Sequence, residues 1–276
     1  MLLADLAFTK ACPSHRFLEE MANVVPWDLF EQQLTQHLRH KAGGRPPYPR
    51  LLLFKLHLLQ LWHGLSDAQT EFQCHDRLSF RKFLGLGIDA RIPDSTTLEN
   101  FRHELRASGL DERLLNVLDA FFKQQGLLLK EGNVVDATFV KANARPKKDP
   151  DQQSDVDAEW GHKGFGYSAT VNTDRKSKLI RRVVVTSERA HDSQHLEAVL
   201  VGDEQAVLAD SAYEGCAKAL KERGIKAYTL KKRRRGKKHE PTPPLPLRDK
   251  YRNKVIAKLR AVGEHPFAVL KEVFGV

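Results

Sequence analysis

The chain has 276 residues, 41% hydrophobic and 29% charged, a balance that excludes a disordered polypeptide and leaves room for one large domain or two moderate ones. Lysine and arginine outnumber the acids 45 to 35, a formal charge of +10, which points to a polyanionic partner, nucleic acid first. Cys12, Cys74 and Cys216 are scattered with no CxxC pair, which excludes a disulfide framework, favours a reducing compartment, and makes Cys12 with His15 or Cys74 with His75 only a weak zinc spacing. No charged-then-apolar leader opens the chain, and its richest apolar run, LLLFKLHLLQLW at 51–62, is broken by Lys55, His57 and Gln60. We therefore expect a cytoplasmic protein, neither secreted nor membrane-spanning.

From the start to about residue 126 the apolar periodicity is helical. The 51–62 run ends at His63-Gly64, and Ser66-Asp67-Ala68-Gln69 reads as a capping box that starts the next helix. Helix, tight turn, helix fits a DNA-reading motif and an ordinary bundle corner equally well, and His75, Arg77, Arg81 and Lys82 add cations that favour DNA, with Arg77 and Arg81 as the expected contacts. In PDSTTLENFRHELRASG (93–109) the pattern Thr96-x-x-Glu99 predicts a second capping box, with Leu98, Phe101 and Leu105 as the apolar stripe and Gly109 as the stop. DERLLNVLDAFFKQQG then gives a helix closing at Gly126. Residues 1–126 are expected to form a helical DNA-binding domain.

At residue 133 the periodicity changes. NVVDATFVKA, FGYSATVNTD, KLIRRVVVTSE and QAVLAD are short β-branched runs, followed later by KAYTL, while HDSQHLEAVLVG and AYEGCAKALKERG read as helices. This predicts a mixed α/β domain over 127–276, with strands 1 to 3 as a meander and the fourth reached through a helix. A polar stretch from Arg145 to Trp160 is too long for a hairpin turn. KKRRRGKK at 231–238 is cationic at seven of its eight positions, so Lys231, Lys232, Arg233, Arg234 and Arg235 are expected to track phosphates, the bland alternative being a solvated loop. From about Arg248 to the end the chain is helical.

Three acids are oddly placed: Asp136 inside the first strand, Asp210 at the end of AVLAD, and Glu264 in RAVGEHPF. An isolated strand aspartate is often an edge or bulge residue, and one that ends a strand is often a turn former or helix cap. Neighbouring carboxylates on a sheet repel, however, and are tolerated mainly when a cation neutralises them. With no His or Cys partners the set selects Mg2+ or Mn2+, and a pair of such ions is the usual apparatus of phosphodiester displacement. On the last helix Arg260, Glu264 and Lys271 fall on one stripe, which a surface ion-pair ladder would also produce. Pro266 predicts a kink or restart there.

VVDATFVKA, KDPDQQSDVDAEWGHKGFGYSATVNTD, VLADSAYEG and LRAVGEHPFAVLK together resemble bacterial insertion-sequence transposases of the DDE type, in the "insertion sequence five" group. FLEEMANVVPW, GRPPYPRLLLFKLHLLQLWHGLSD and IPDSTTLENFRHEL look like their N-terminal domain. The resemblance implies an RNase H-like catalytic domain, magnesium-dependent cleavage at element ends, and joining of the freed 3′-OH to target DNA. It makes Asp136, Asp210 and Glu264 the catalytic and metal-holding acids, with two Mg2+ ions for which Mn2+ can substitute. Arg260 and Lys271 match the family's arginine four residues before the glutamate and lysine seven after it. They join Lys163 and the 231–235 cluster as expected DNA contacts. Implied partners are duplex DNA (terminal inverted repeats and target) and a second copy of the chain, at the bacterial nucleoid. The sequence departs at Ala257, where relatives often have tyrosine, and at Gly166-Tyr167-Ser168, where they read GYK. Relatives also usually continue well beyond the lysine, so a shortened C-terminus is expected. That leaves open a rival, a transposase that binds DNA without cutting, and a nuclease of the same fold that cleaves without joining.

Overall fold

The computed structural model describes residues 16–38, 46–128, 132–144, 147, 155–161, 164–187, 195–233 and 243–274. Two compact units divide at residue 121.

The first unit is helical: α1 (Arg16–Val24), α2 (Trp27–His37), α3 (Arg50–His63), α4 (Asp67–Asp76), α5 (Leu78–Leu84), α6 (Ser95–Ser108) and α7 (Leu110–Gln124), the last running across the division. α3 is its axis, and Leu56 and Leu59 on it are buried with Leu34, Phe80, Phe101 and Leu110. The polar residues that interrupt α3 each have a partner. Lys55 lies over the rings of Trp27 (4.6 Å) and Phe83 (5.5 Å), where burial pulls its pKa down against the charge of Glu31. Gln60 donates to Asp67 Oδ1 at 2.7 Å, and Asp67 also accepts from Arg102 at 2.6 Å. Gly64 ends α3 in the left-handed region at φ 60°, a conformation that glycine adopts without Cβ strain. Ser66 and Gln69 then form the expected capping box on α4. At α6 the cap differs from expectation: Asp94, not Thr96, accepts from the Thr97 N–H at 2.7 Å and helix begins at Ser95, because the carboxylate two residues upstream reaches the exposed amides first.

Among the described residues of the second unit six strands form one sheet: β1 (Asn133–Lys141), β2 (Glu159–Trp160), β3 (Phe165–Asp174), β4 (Ile180–Ser187), β5 (Ala206–Ala209) and β6 (Lys226–Thr229). The order is β2-β3-β1-β5-β6, with β4 also on β3; β3 runs antiparallel to β1, β2 and β4, whereas β5 and β6 add in parallel. This is the expected meander followed by crossovers, with the two-residue β2 as an addition.

Helices cover both faces. On one, α8 (Leu196–Val199), a 3-10 turn (Ser211–Cys216) and α9 (Ala217–Glu222) pack on Val135, Val207 and Ala209. Asn172, fully buried on β3, receives from Asn133 (2.8 Å) and donates to Val199 O (3.0 Å) and Glu204 (2.9 Å), tying the loop after α8 to the sheet. The other face carries α10 (Leu247–Arg260) and a 3-10 turn (Ala261–Gly263), from which α11 (Glu264–Phe274) continues. The interruption expected at Pro266 falls just before it, so the proline sits in the first turn of α11, where its missing N–H costs no helical bond. Among the described residues no helix is long and apolar enough to cross a membrane.

Candidate active site

The parallel pairing of β1 with β5 matches Val134 with Leu208 and Val135 with Ala209. One residue further along lie Asp136 and Asp210, which the register makes neighbours across a strand spacing of about 4.8 Å. Alternation sends Val135 and Ala209 to the core beneath α9 and the two aspartates to the opposite face, with Val134 and Leu208. Asp210 also caps: its Oδ1 accepts from the Ala212 N–H at 2.6 Å and starts the 3-10 turn. Cap and site position coincide, because a strand that stops at a carboxylate presents that carboxylate at the strand's C-terminal end.

The helical face closes over the same spot. A Cβ on Gly263 would lie 2.5 Å from Val134 Cγ1, so only glycine lets the turn after α10 descend onto β1. Arg260, at the end of α10, donates from Nη2 to Asp136 Oδ2 at 2.8 Å, while Asp136 Oδ1 accepts from the Ala137 N–H at 3.0 Å. Arg260 is mostly buried, at 14% exposure against 27% for Asp136. Burial raises the Asp136 carboxyl above its ordinary range and the charge of Asp210 adds to this, whereas Arg260 and the Ala137 amide pull it back. Glu264 follows Gly263 directly, opens α11 and is exposed; Lys271, further along α11, is exposed as well. Among the described residues no three His, Cys, Asp or Glu side chains gather into a ready metal cage. The donor chemistry nonetheless suits a hard cation: carboxylate oxygens on adjacent strands, one already neutralised by a guanidinium.

The expected DNA contacts separate. Arg77 is exposed at the α4–α5 junction, its guanidinium 5.2 Å from the Phe80 ring centroid. Arg81 is buried, and its guanidinium holds the carbonyls of Gly87 and Ala90. Packing claims it for that turn, which corrects the expectation of a DNA contact. Lys231 pairs with Glu214 at 2.6 Å, and with exposed Lys232 and Arg233 it lines a cleft of about 530 Å³ on the second unit. Lys163, Arg234 and Arg235 lie outside the described residues, as do Cys12, His15 and the first residues of the expected helix at 191–202. Sequence reasoning missed the Arg260–Asp136 pair and the need for Gly263; the only local signal was a glycine inside a helical run.

Residues 7–104 match the family described as Transposase domain (DUF772), and residues 127–276, more than half of the chain, match Transposase DDE domain. The chain belongs to the DDE transposase family. The second unit of this transposase is accordingly an RNase H-like mixed sheet flanked by helices, and DDE domains generally use divalent metal ions. Similar solved structures include the Mos1 strand transfer complex (12% identity, 79% of this chain and 67% of that one, TM-score 0.23). Others are a pre-cleavage Mos1 transpososome (12%, 81% and 71%, 0.20) and a Mos1 paired-end complex with left transposon end (16%, 80% and 74%, 0.21).

Proposed function

We propose that this transposase cuts DNA at the ends of its element and joins the freed 3′-OH to target DNA, with Asp136, Asp210 and Glu264 as the catalytic acids. The observation that carries the reading is the β1–β5 register, which makes Asp136 and Asp210 neighbours on the face crossed by the Gly263 turn. These three acids would hold two Mg2+ ions, or Mn2+ in their place, which supply Lewis-acid activation of the attacking oxygen and stabilisation of the leaving one. The chain's own cations position the strand: Arg260 and Lys271 at the site, and Lys231, Lys232 and Arg233 beyond it, bind phosphates by charge-assisted contacts. Lys163, Arg234, Arg235 and Arg77 extend this set. Residues 1–126 would be the DNA-binding domain and 127–276 the catalytic domain, acting as a homodimer that brings two inverted repeats together at the nucleoid. Asp136→Asn is expected to abolish metal-dependent nicking of end DNA and to leave DNA binding intact; retained nicking overturns the assignment.

One observation favours a second reading, a transposase that binds without cutting: the three acids do not form a closed cage among the described residues. Incubation with end DNA and Mn2+ separates the two, since binding without any strand cleavage selects the second.

A further inference from the structure

We propose that Arg260 is a latch on Asp136, released when a DNA phosphate takes its guanidinium, so that the site loads divalent ions after DNA has arrived. The proposal deepens the functional reading above and rests on it. Both oxygens of Asp136 are engaged, Oδ2 by Arg260 Nη2 at 2.8 Å and Oδ1 by the Ala137 N–H at 3.0 Å. The backbone contact leaves a second lone pair on Oδ1, so the amide does not exclude a metal ion. The guanidinium does. A full positive charge within hydrogen-bonding distance of the carboxylate repels a divalent cation approaching the same group and removes the negative charge that would attract it.

The pair is also built to part. Arg260 gives Asp136 a single Nη2 contact, and among the described residues its buried Nε has no hydrogen-bond partner. A guanidinium satisfied through one edge atom is short of the bidentate geometry that makes such pairs strong. A phosphodiester offers two acceptor oxygens to the same fork and can satisfy Nη and Nε together. The backbone need not move for the exchange, because Gly263 holds the turn against Val134 and only the arginine side chain has to swing. Phosphate and metal then favour each other: the phosphate draws Arg260 off Asp136, and the vacated carboxylate, beside Asp210, becomes the acidic pair that a hard cation requires. Because the coupling is between two binding events, it must be reciprocal.

The test is Mn2+ binding to the full chain, followed through the electron paramagnetic resonance of free Mn2+, with and without a short duplex and corrected for Mn2+ held by the duplex alone. The latch predicts that the duplex tightens Mn2+ binding about tenfold. It also predicts that Arg260→Gln binds Mn2+ about tenfold more tightly than the native chain without DNA, and gains nothing from the duplex. Equal Mn2+ affinity with and without duplex, in a chain where Asp136→Asn weakens that affinity, overturns the latch and leaves the functional reading standing. If Asp136→Asn changes Mn2+ binding neither in the native chain nor in Arg260→Gln, both fall. Should Arg260→Gln fail to fold by circular dichroism, the duplex dependence of the native chain decides alone.

Discussion

At the residue scale, Asp136 was visible as an anomaly because a carboxylate inside VVDATFVKA contradicts the apolar pattern around it. Its partner was not visible. Arg260 lies 124 positions away, and a pairing between remote side chains leaves no periodic trace in either segment. The same holds for Gly263, which reads as a mild helix weakener until Val134 is found beneath it. A β-branched side chain cannot rotate aside cheaply, so Gly263→Ala is expected to cost about 1–3 kcal/mol of stability and to reduce nicking by lifting the turn that leads into Glu264 from β1. Thermal unfolding checks the first part; an unchanged midpoint would show that the turn has room. Arg81 marks a limit of reading charge from sequence: only packing separates an arginine that holds carbonyls from one that meets phosphate.

Elements were more legible than contacts. The β-branched runs located β1, β3, β4, β5 and β6 because alternation and branching report directly on a pleated, covered surface, and the crossovers followed from the helical segments between them. The two-residue β2 has too few positions to carry a period. The sequence puts the start of α6 two residues late because Asp94 and Thr96 can both cap, and sequence does not rank two acceptors so close together. Asp94→Ala should cost about 1 kcal/mol in chemical denaturation, with Thr96→Ala close to neutral; the reverse order would return the cap to Thr96. The break between α10 and α11 was anticipated from Pro266, but its position was set by the close approach at Gly263.

For the whole molecule, apolar periodicity separates a helical first part from an α/β second part, since its period changes once. Long-range charge pairs in the second unit escaped it. Asp203 sits between Lys123 (2.9 Å) and the fully buried Arg181 (2.8 Å); burial opposes its ionisation, yet the two cations bring its pKa down to about 2 from 3.8. The stabilisation from this depressed carboxyl is complete above pH 3.8 and disappears as pH falls toward 2. Asp203→Asn should flatten that part of the acid-unfolding curve and, by weakening the support of a buried guanidinium, cost about 2 kcal/mol at neutral pH. Acid titrations of variant and native chain that remain parallel would contradict it.

The central claim is that Asp136, Asp210 and Glu264 act on one DNA strand through shared divalent ions. Anomalous scattering from Mn2+ in crystals of the chain with a short duplex tests it most directly. The account predicts manganese peaks contacted by all three carboxylates, with Arg260 turned to a phosphate. Manganese bound elsewhere, or at the aspartates with Glu264 remote from it, would contradict the account.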